Sequence, residues 1–182
     1  MRFNLGQPLL IASLLMSTVF ITACNPKNEK SERVHSESAE VSDDLKEQIE
    51  TKAIKPFAKT PDDAHDIALL DKYETDFNNI STDLENELKK LQDEGNLTED
   101  MKNQRKRDLI QSSLNMLKEL DLKTEQGRYI QGLFYQYWEN QMNVYNELIN
   151  SPENELRDPT DAVKGRGDYY TAEAQLKHWK TQ

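Results

Sequence analysis

A single cysteine, Cys24, stands in a chain of 182 residues, so no disulfide can form within it. An exported protein can do without disulfides only if its core is large enough. Glycine and proline are scarce, six of each, and no stretch alternates apolar and polar residues as a half-buried strand does. Basic residues are outnumbered, 23 against 33 acids, for a net charge of −10. Such a polyanion repels nucleic-acid phosphates, so no nucleic-acid partner is expected. There is no glycine-rich phosphate loop, no Gly-x-Ser-x-Gly and no His-Glu-x-x-His. The three histidines, His35, His65 and His178, fall in unrelated segments. These absences remove the commoner catalytic sets, and an enzyme is not expected.

What is present begins at the front. Arg2 precedes an apolar run from Leu9 to Ala23, and no acid occurs before Glu29. A basic start, an apolar run and small residues before a cut make a secretory signal peptide. The run is about 15 residues, short of the ~20 that span a bilayer. It ends in Ile21-Thr22-Ala23-Cys24, which resembles the lipobox of bacterial lipoproteins. That resemblance covers residues 1–24 only. It implies cleavage between Ala23 and Cys24 and acylation of the Cys24 thiol. One acyl chain anchors weakly, whereas two or more hold firmly, and lipoproteins of this kind carry two or three. The bilayer, reached through Cys24, is therefore one expected partner. The resemblance also implies export to the cell envelope. Asn25 stands where an Asp would favour inner-membrane retention, so the outer membrane is favoured if the organism has two. Without Arg2 the mature chain carries 22 basic and 33 acidic residues, a net charge of −11.

Residues 24–41 are Lys, Glu, Ser, Asn and His with little to bury, a composition that reads as a flexible tether. Its reach is roughly 25 Å. Residues 42–182 read as a single all-α domain. Ser42 caps a short helix through Ala53, with Val41, Leu45 and Ile49 at four-residue spacing and Pro56 as its stop. Thr60-Pro61-Asp62-Asp63 starts a long helix that runs to about Glu94, with Gly95 as its stop. Leu70, Tyr73, Phe77, Ile80, Leu84, Leu88 and Leu91 form one narrow stripe, suited to a coiled coil or hairpin seam. A second helix covers about 99–122 and packs antiparallel to the first, because the connection is short. Thr124 caps a third helix, about 125–150. A continuous rod through 121–125 is the alternative. The third helix carries a broad aromatic face and completes a three-helix, bundle-like unit. Ser151-Pro152 opens a short turn, residues 157–168 read as a loop, and a terminal helix from about Ala172 docks through Leu176 and Trp179.

Four constellations have chemical interest. Asp62, Asp63, His65 and Asp66 suit a metal by residue type, but acids at a helix start already favour the dipole, so no metal or other cofactor is expected. Lys102, Arg105, Lys106 and Arg107 form a basic island that would suit anionic lipid or an acidic partner. Pairing with Asp83, Glu85 and Glu87 across the hairpin is the favoured reading. Tyr137, Trp138, Gln141 and Tyr145 line the third helix, as core with tyrosine hydroxyls serving the Gln141 amide, or as a small ligand pocket. Arg166-Gly167-Asp168 matches a cell-adhesion tripeptide, too short to weigh.

The expected function is a non-enzymatic, membrane-anchored envelope lipoprotein that works by helix-mediated contact with an envelope protein. A module binding a small hydrophobic or aromatic ligand is the alternative.

Overall fold

A computed structural model describes residues 43–150 and 163–182. The leader, Ala23, Cys24, the tether, the Ser42 cap with Val41 and the Ser151-Pro152 turn all lie outside the described residues. Residues Asp43–Gln182 form one unit. It is all-helical among the described residues: α1 Asp43–Ile49, α2 Asp63–Asp93, α3 Glu99–Lys118, α4 Glu125–Asn150 and α5 Arg166–Lys180.

Local chemistry sets most boundaries. Thr60 does not cap α2 directly. Its carbonyl accepts from Asp63 N (3.3 Å), closing a turn around Pro61, and α2 starts at Asp63 with Asp62 at the N-cap. At the far end the helix stops at Asp93, with Glu94 as the C-cap just before Gly95. Thr98 caps α3, its hydroxyl accepting from Met101 N at 3.1 Å. This helix ends at Lys118, short of Leu122, and residues 119–124 are a true link rather than a continuous rod. Leu122 is buried within that link, and Thr124 caps α4 by accepting from Gly127 N at 2.8 Å.

The helices run alternately up and down. Tyr73 on α2 meets Ser113 on α3, while Glu87 meets Arg105, which fixes α2 and α3 as an antiparallel hairpin. Gln131 donates to the Leu117 carbonyl (2.6 Å) and Tyr145 to that of Asn103, so α4 is antiparallel to α3. A fourth helix joins the expected three: Phe134 on α4 contacts Tyr169 on α5 at 5.3 Å between centroids.

The core lies where these helices meet. Leu70, Leu117, Ile130 and Phe134 are wholly enclosed. Truncation of such residues costs about 2–5 kcal/mol. The expected α2 stripe is buried at Leu70, Tyr73, Phe77, Leu84 and Leu88 but not at its other two positions. Ile80 is 40% exposed and Leu91 half-buried, while Ser81 is buried at 2%. The face that α2 turns inward includes Ser81, a polar residue that apolar counting passes over.

Two expectations fail near α5. The first helix does not reach Ala53 but stops at Ile49, and residues 50–60 are an irregular strap. Contacts from Gln48 to Gly165 and from Lys59 to Gln182 lay the strap parallel to α5. That length of helix axis is about 25 Å at 1.5 Å per residue, whereas residues 48–59 as a helix would span only about 17 Å. Lys55 also precedes Pro56, which disfavours helical backbone. The second failure is the loop expected over 157–168. Within its described part, Gly165 takes φ +74° as the N-cap and α5 begins at Arg166, six residues before Ala172. Gly167 lies inside the helix, and it has no side chain because the strap passes over it: a Cβ there would lie 2.5 Å from the Glu50 carbonyl oxygen.

Candidate functional site

The acid-and-histidine cluster at the start of α2 disperses into separate structural duties. Asp66 is wholly buried. Its carboxylate accepts from Lys123 N (3.1 Å to each oxygen), from Thr124 N (2.8 Å) and from Thr124 Oγ1 (2.7 Å). It thereby clamps the α3–α4 link and the start of α4. Gly127 permits this approach, since a Cβ would come 2.5 Å from Asp66 Oδ2. Asp63 instead accepts from Thr60 Oγ1 (2.7 Å) and bonds with Trp179. His65 Nε2 lies 3.4 Å from the Asp121 carbonyl oxygen. Among the described residues no three His, Cys, Asp or Glu side chains converge as metal ligands.

The basic island is divided as well. Arg105 reaches Glu87 across the hairpin at 2.7 Å, and Lys102 lies 3.6 Å from Glu99 on its own helix. Of the three acids expected as partners, Glu87 alone is engaged. Burial, and after it the charge of Lys102, push the Lys106 ammonium below its ordinary pKa. Arg107 is exposed, with its charge beside Tyr145.

The aromatic face of α4 is packed against its neighbours. Phe77 and Trp138 lie 4.8 Å apart, and Tyr137 and Tyr169 lie 5.0 Å apart. Trp138 donates to the Tyr73 hydroxyl at 2.8 Å, which shares a hydrogen with Ser113 Oγ at 2.7 Å. This buried chain ties α4, α2 and α3 together. Burial pushes the Tyr73 phenol well above its ordinary pKa. Gln141 finds its partner not in a tyrosine hydroxyl but in the Lys164 carbonyl, to which it donates at 2.9 Å. Tyr145 donates to the Asn103 carbonyl, and burial pushes its pKa up to about 12. Tyr137 is likewise pushed up to about 12, by burial. The four residues thus lie along one helix but hold different neighbours.

The adhesion-like tripeptide sits in the first turn of α5, where Gly167 and Asp168 are buried. Asp168 accepts from Lys52 Nζ at 2.7 Å.

Sequence reasoning missed the polar row that continues from it. Thr171 and Gln175 are wholly buried on α5. Thr171 Oγ1 donates to the Gly167 carbonyl (2.6 Å) and accepts from Lys52 N (2.9 Å). The Gln175 amide accepts from Lys55 N (3.0 Å) and donates to the Lys55 carbonyl (2.8 Å). Beyond it, the Lys55 ammonium lies over the rings of Phe57 (4.8 Å) and Tyr129 (5.0 Å) and 3.8 Å from Glu125. Asp168, Thr171 and Gln175 recur every three or four residues, so they share one face. That spacing was the available signal, but polar residues at helical spacing ordinarily mark a solvated face.

On the other side of α5, Lys180 pairs with Asp71 and lies 3.9 Å from Glu74. Burial pushes Glu74 up to about 7 despite Lys180, and Glu173 and Asp71 add to the rise. Glu173 is also raised by burial, opposed by a hydrogen bond from Tyr169.

No family model, curated protein or solved structure matches this chain.

Proposed function

We propose that the protein is a bacterial envelope lipoprotein, anchored through an acylated Cys24, whose helical unit works by contact with another envelope protein. The observation that carries this reading is the front of the chain: a basic residue, an apolar run and a lipobox-like Ile21-Thr22-Ala23-Cys24 holding the lone cysteine. Residues 24–41 then serve as the tether, and Asn25 favours the outer membrane where two membranes exist. The helical unit fits the role because its chemistry-bearing residues are engaged in holding helices together. Asp66, Tyr73 and Gln141 each spend their polar atoms on neighbouring elements. Among the described residues no helix is long and apolar enough to cross a membrane. A ligand held by Tyr137, Trp138, Gln141 and Tyr145 would require Gln141 and Tyr145 to release the Lys164 and Asn103 carbonyls.

Metabolic labelling with a palmitate analogue tests the anchor. Label should enter the native chain and vanish in Cys24→Ala. In-cell crosslinking of the labelled protein should capture one reproducible envelope protein, lost in the same variant. Absence of label would overturn the anchor. Label without any captured protein would overturn the contact role.

A further inference from the structure

The strap and α5 are unequal partners. Residues 50–59 are exposed at every position except Phe57, which is half-buried. The α5 groups beneath them are sealed, Thr171 and Gln175 wholly and Asp168 to 8% exposure. The strap thus adds little to the core, while α5 commits buried polar side chains to it. What those side chains hold is mostly backbone. Thr171 takes the Lys52 N–H, and Gln175 takes both the N–H and the carbonyl of Lys55. This is how a sheet edge holds an added strand, with side chains in the place of the edge. Three further features select sequence. Asp168 accepts a cation at strap position 52, Glu125 and Tyr129 receive a cation at position 55, and Tyr129 meets an aromatic ring at position 57, 5.5 Å between centroids.

We propose that this face of α5 is a receptor for non-helical basic peptides of the pattern Lys-x-x-Lys-x-aromatic, occupied in the resting chain by its own residues 52–57. The partner is a segment of another protein carrying that pattern. This deepens the protein-contact reading and rests on it, but it does not depend on the anchor. Polar recognition makes exchange feasible. When the strap lifts, Asp168, Thr171 and Gln175 return to water, which satisfies them, whereas a bared apolar groove would not recover its loss. The chain connection gives the resident strap an effective concentration on the order of millimolar. A rival peptide therefore binds the native chain weakly and a loosened chain well.

The probe is an acetylated, fluorescein-labelled peptide of residues 50–59, Glu-Thr-Lys-Ala-Ile-Lys-Pro-Phe-Ala-Lys. The receptor is the full chain carrying Cys24→Ala, so lipidation plays no part. Lys52→Glu with Phe57→Ala loosens the resident strap without touching α5. Anisotropy should show at least tenfold tighter binding to the loosened chain than to the chain with its native strap. Adding Gln175→Ala should abolish that gain, and a peptide with both pattern lysines changed to glutamate should not bind. Equal or absent binding by two chains with native near-ultraviolet dichroism would overturn the proposal. Should the loosened chain fail to fold, hydrogen exchange on the native chain decides. Excess peptide should speed exchange at the Lys52 and Lys55 amides and leave α2–α4 protected, and unchanged exchange at saturating peptide would overturn the proposal. Either failure leaves the palmitate result, and hence the anchor, standing.

Discussion

The joint that α4 makes with α2 and α3 and the joint that α5 makes with the strap are held by different physics. Toward α2 and α3, the contact is apolar and aromatic, with a buried polar thread of Trp138, Tyr73 and Ser113 running through it. Beyond α5, on the strap side, the joint is a row of hydrogen bonds from side chains to a nearly exposed segment. The first joint gains stability from removing apolar area from water, and a defect in it leaves a cavity. The second gains only the small surplus of a protein hydrogen bond over a water one. One molecule thus has a joint that is expensive to open beside one that is inexpensive to open.

The contrast can be broken at the core first. Phe134→Ala removes a wholly enclosed ring between Tyr73 and Tyr169. It should cost about 3–5 kcal/mol in denaturant unfolding, with the whole unit losing structure together. A loss below about 1 kcal/mol would show the packing there to be loose. Asp66→Ala is expected to come next, at about 3 kcal/mol, because Lys123 N and Thr124 N lose their acceptor in a buried setting. Hydrogen exchange should place the damage at the α3–α4 link, and protection there equal to the native protein's would contradict the clamp.

At the strap joint the effects should be smaller and local. Gly167→Ala must displace the strap, since its Cβ would meet the Glu50 carbonyl oxygen. Alanine also favours the helix by about 1 kcal/mol, so net stability should change little. Exchange at the Lys52 amide should rise while the core stays protected, and a strap that stays protected would mean the helix yields instead. Another effect concerns pH. Glu74 faces Asp71 on its own helix and Glu173 and Lys180 on α5, and its folded pKa of about 7 stands above its ordinary value. The folded state therefore holds this proton more tightly than the unfolded one. Stability contributed by the group grows as pH falls through about 7 and levels off below the ordinary carboxyl range. Glu74→Gln should flatten the pH dependence between about 5 and 8, and an unchanged slope would assign it to other groups.

What could be read from residues alone follows the same division. Apolar periodicity found α2, α3 and α4, and Thr124 announced the cap of α4 through the short hydroxyl side chain that helix starts favour. The strap joint was not legible. Its helix side is Asp168, Thr171 and Gln175, residues that look the same in a sequence whether water or a backbone satisfies them. Gly165 and Gly167 read as loop punctuation, yet one is a cap in left-handed backbone and the other a helical residue under a passing chain. Asp66 misled differently. Beside Asp62, Asp63 and His65 it suggested a shared site, but its carboxylate is used on Lys123 and Thr124 while that of Asp63 turns to Thr60.

The strap also puts the chain's order of synthesis into the fold. Lys52 and Thr171 are partners separated by 119 residues, so the strap emerges, from a ribosome or from an export channel, long before its helix. Through that interval the apolar hairpin can form while the strap has nowhere to bind. When α5 emerges, the strap is already attached nearby through α2, so the face meets its own segment before it can meet a stranger's.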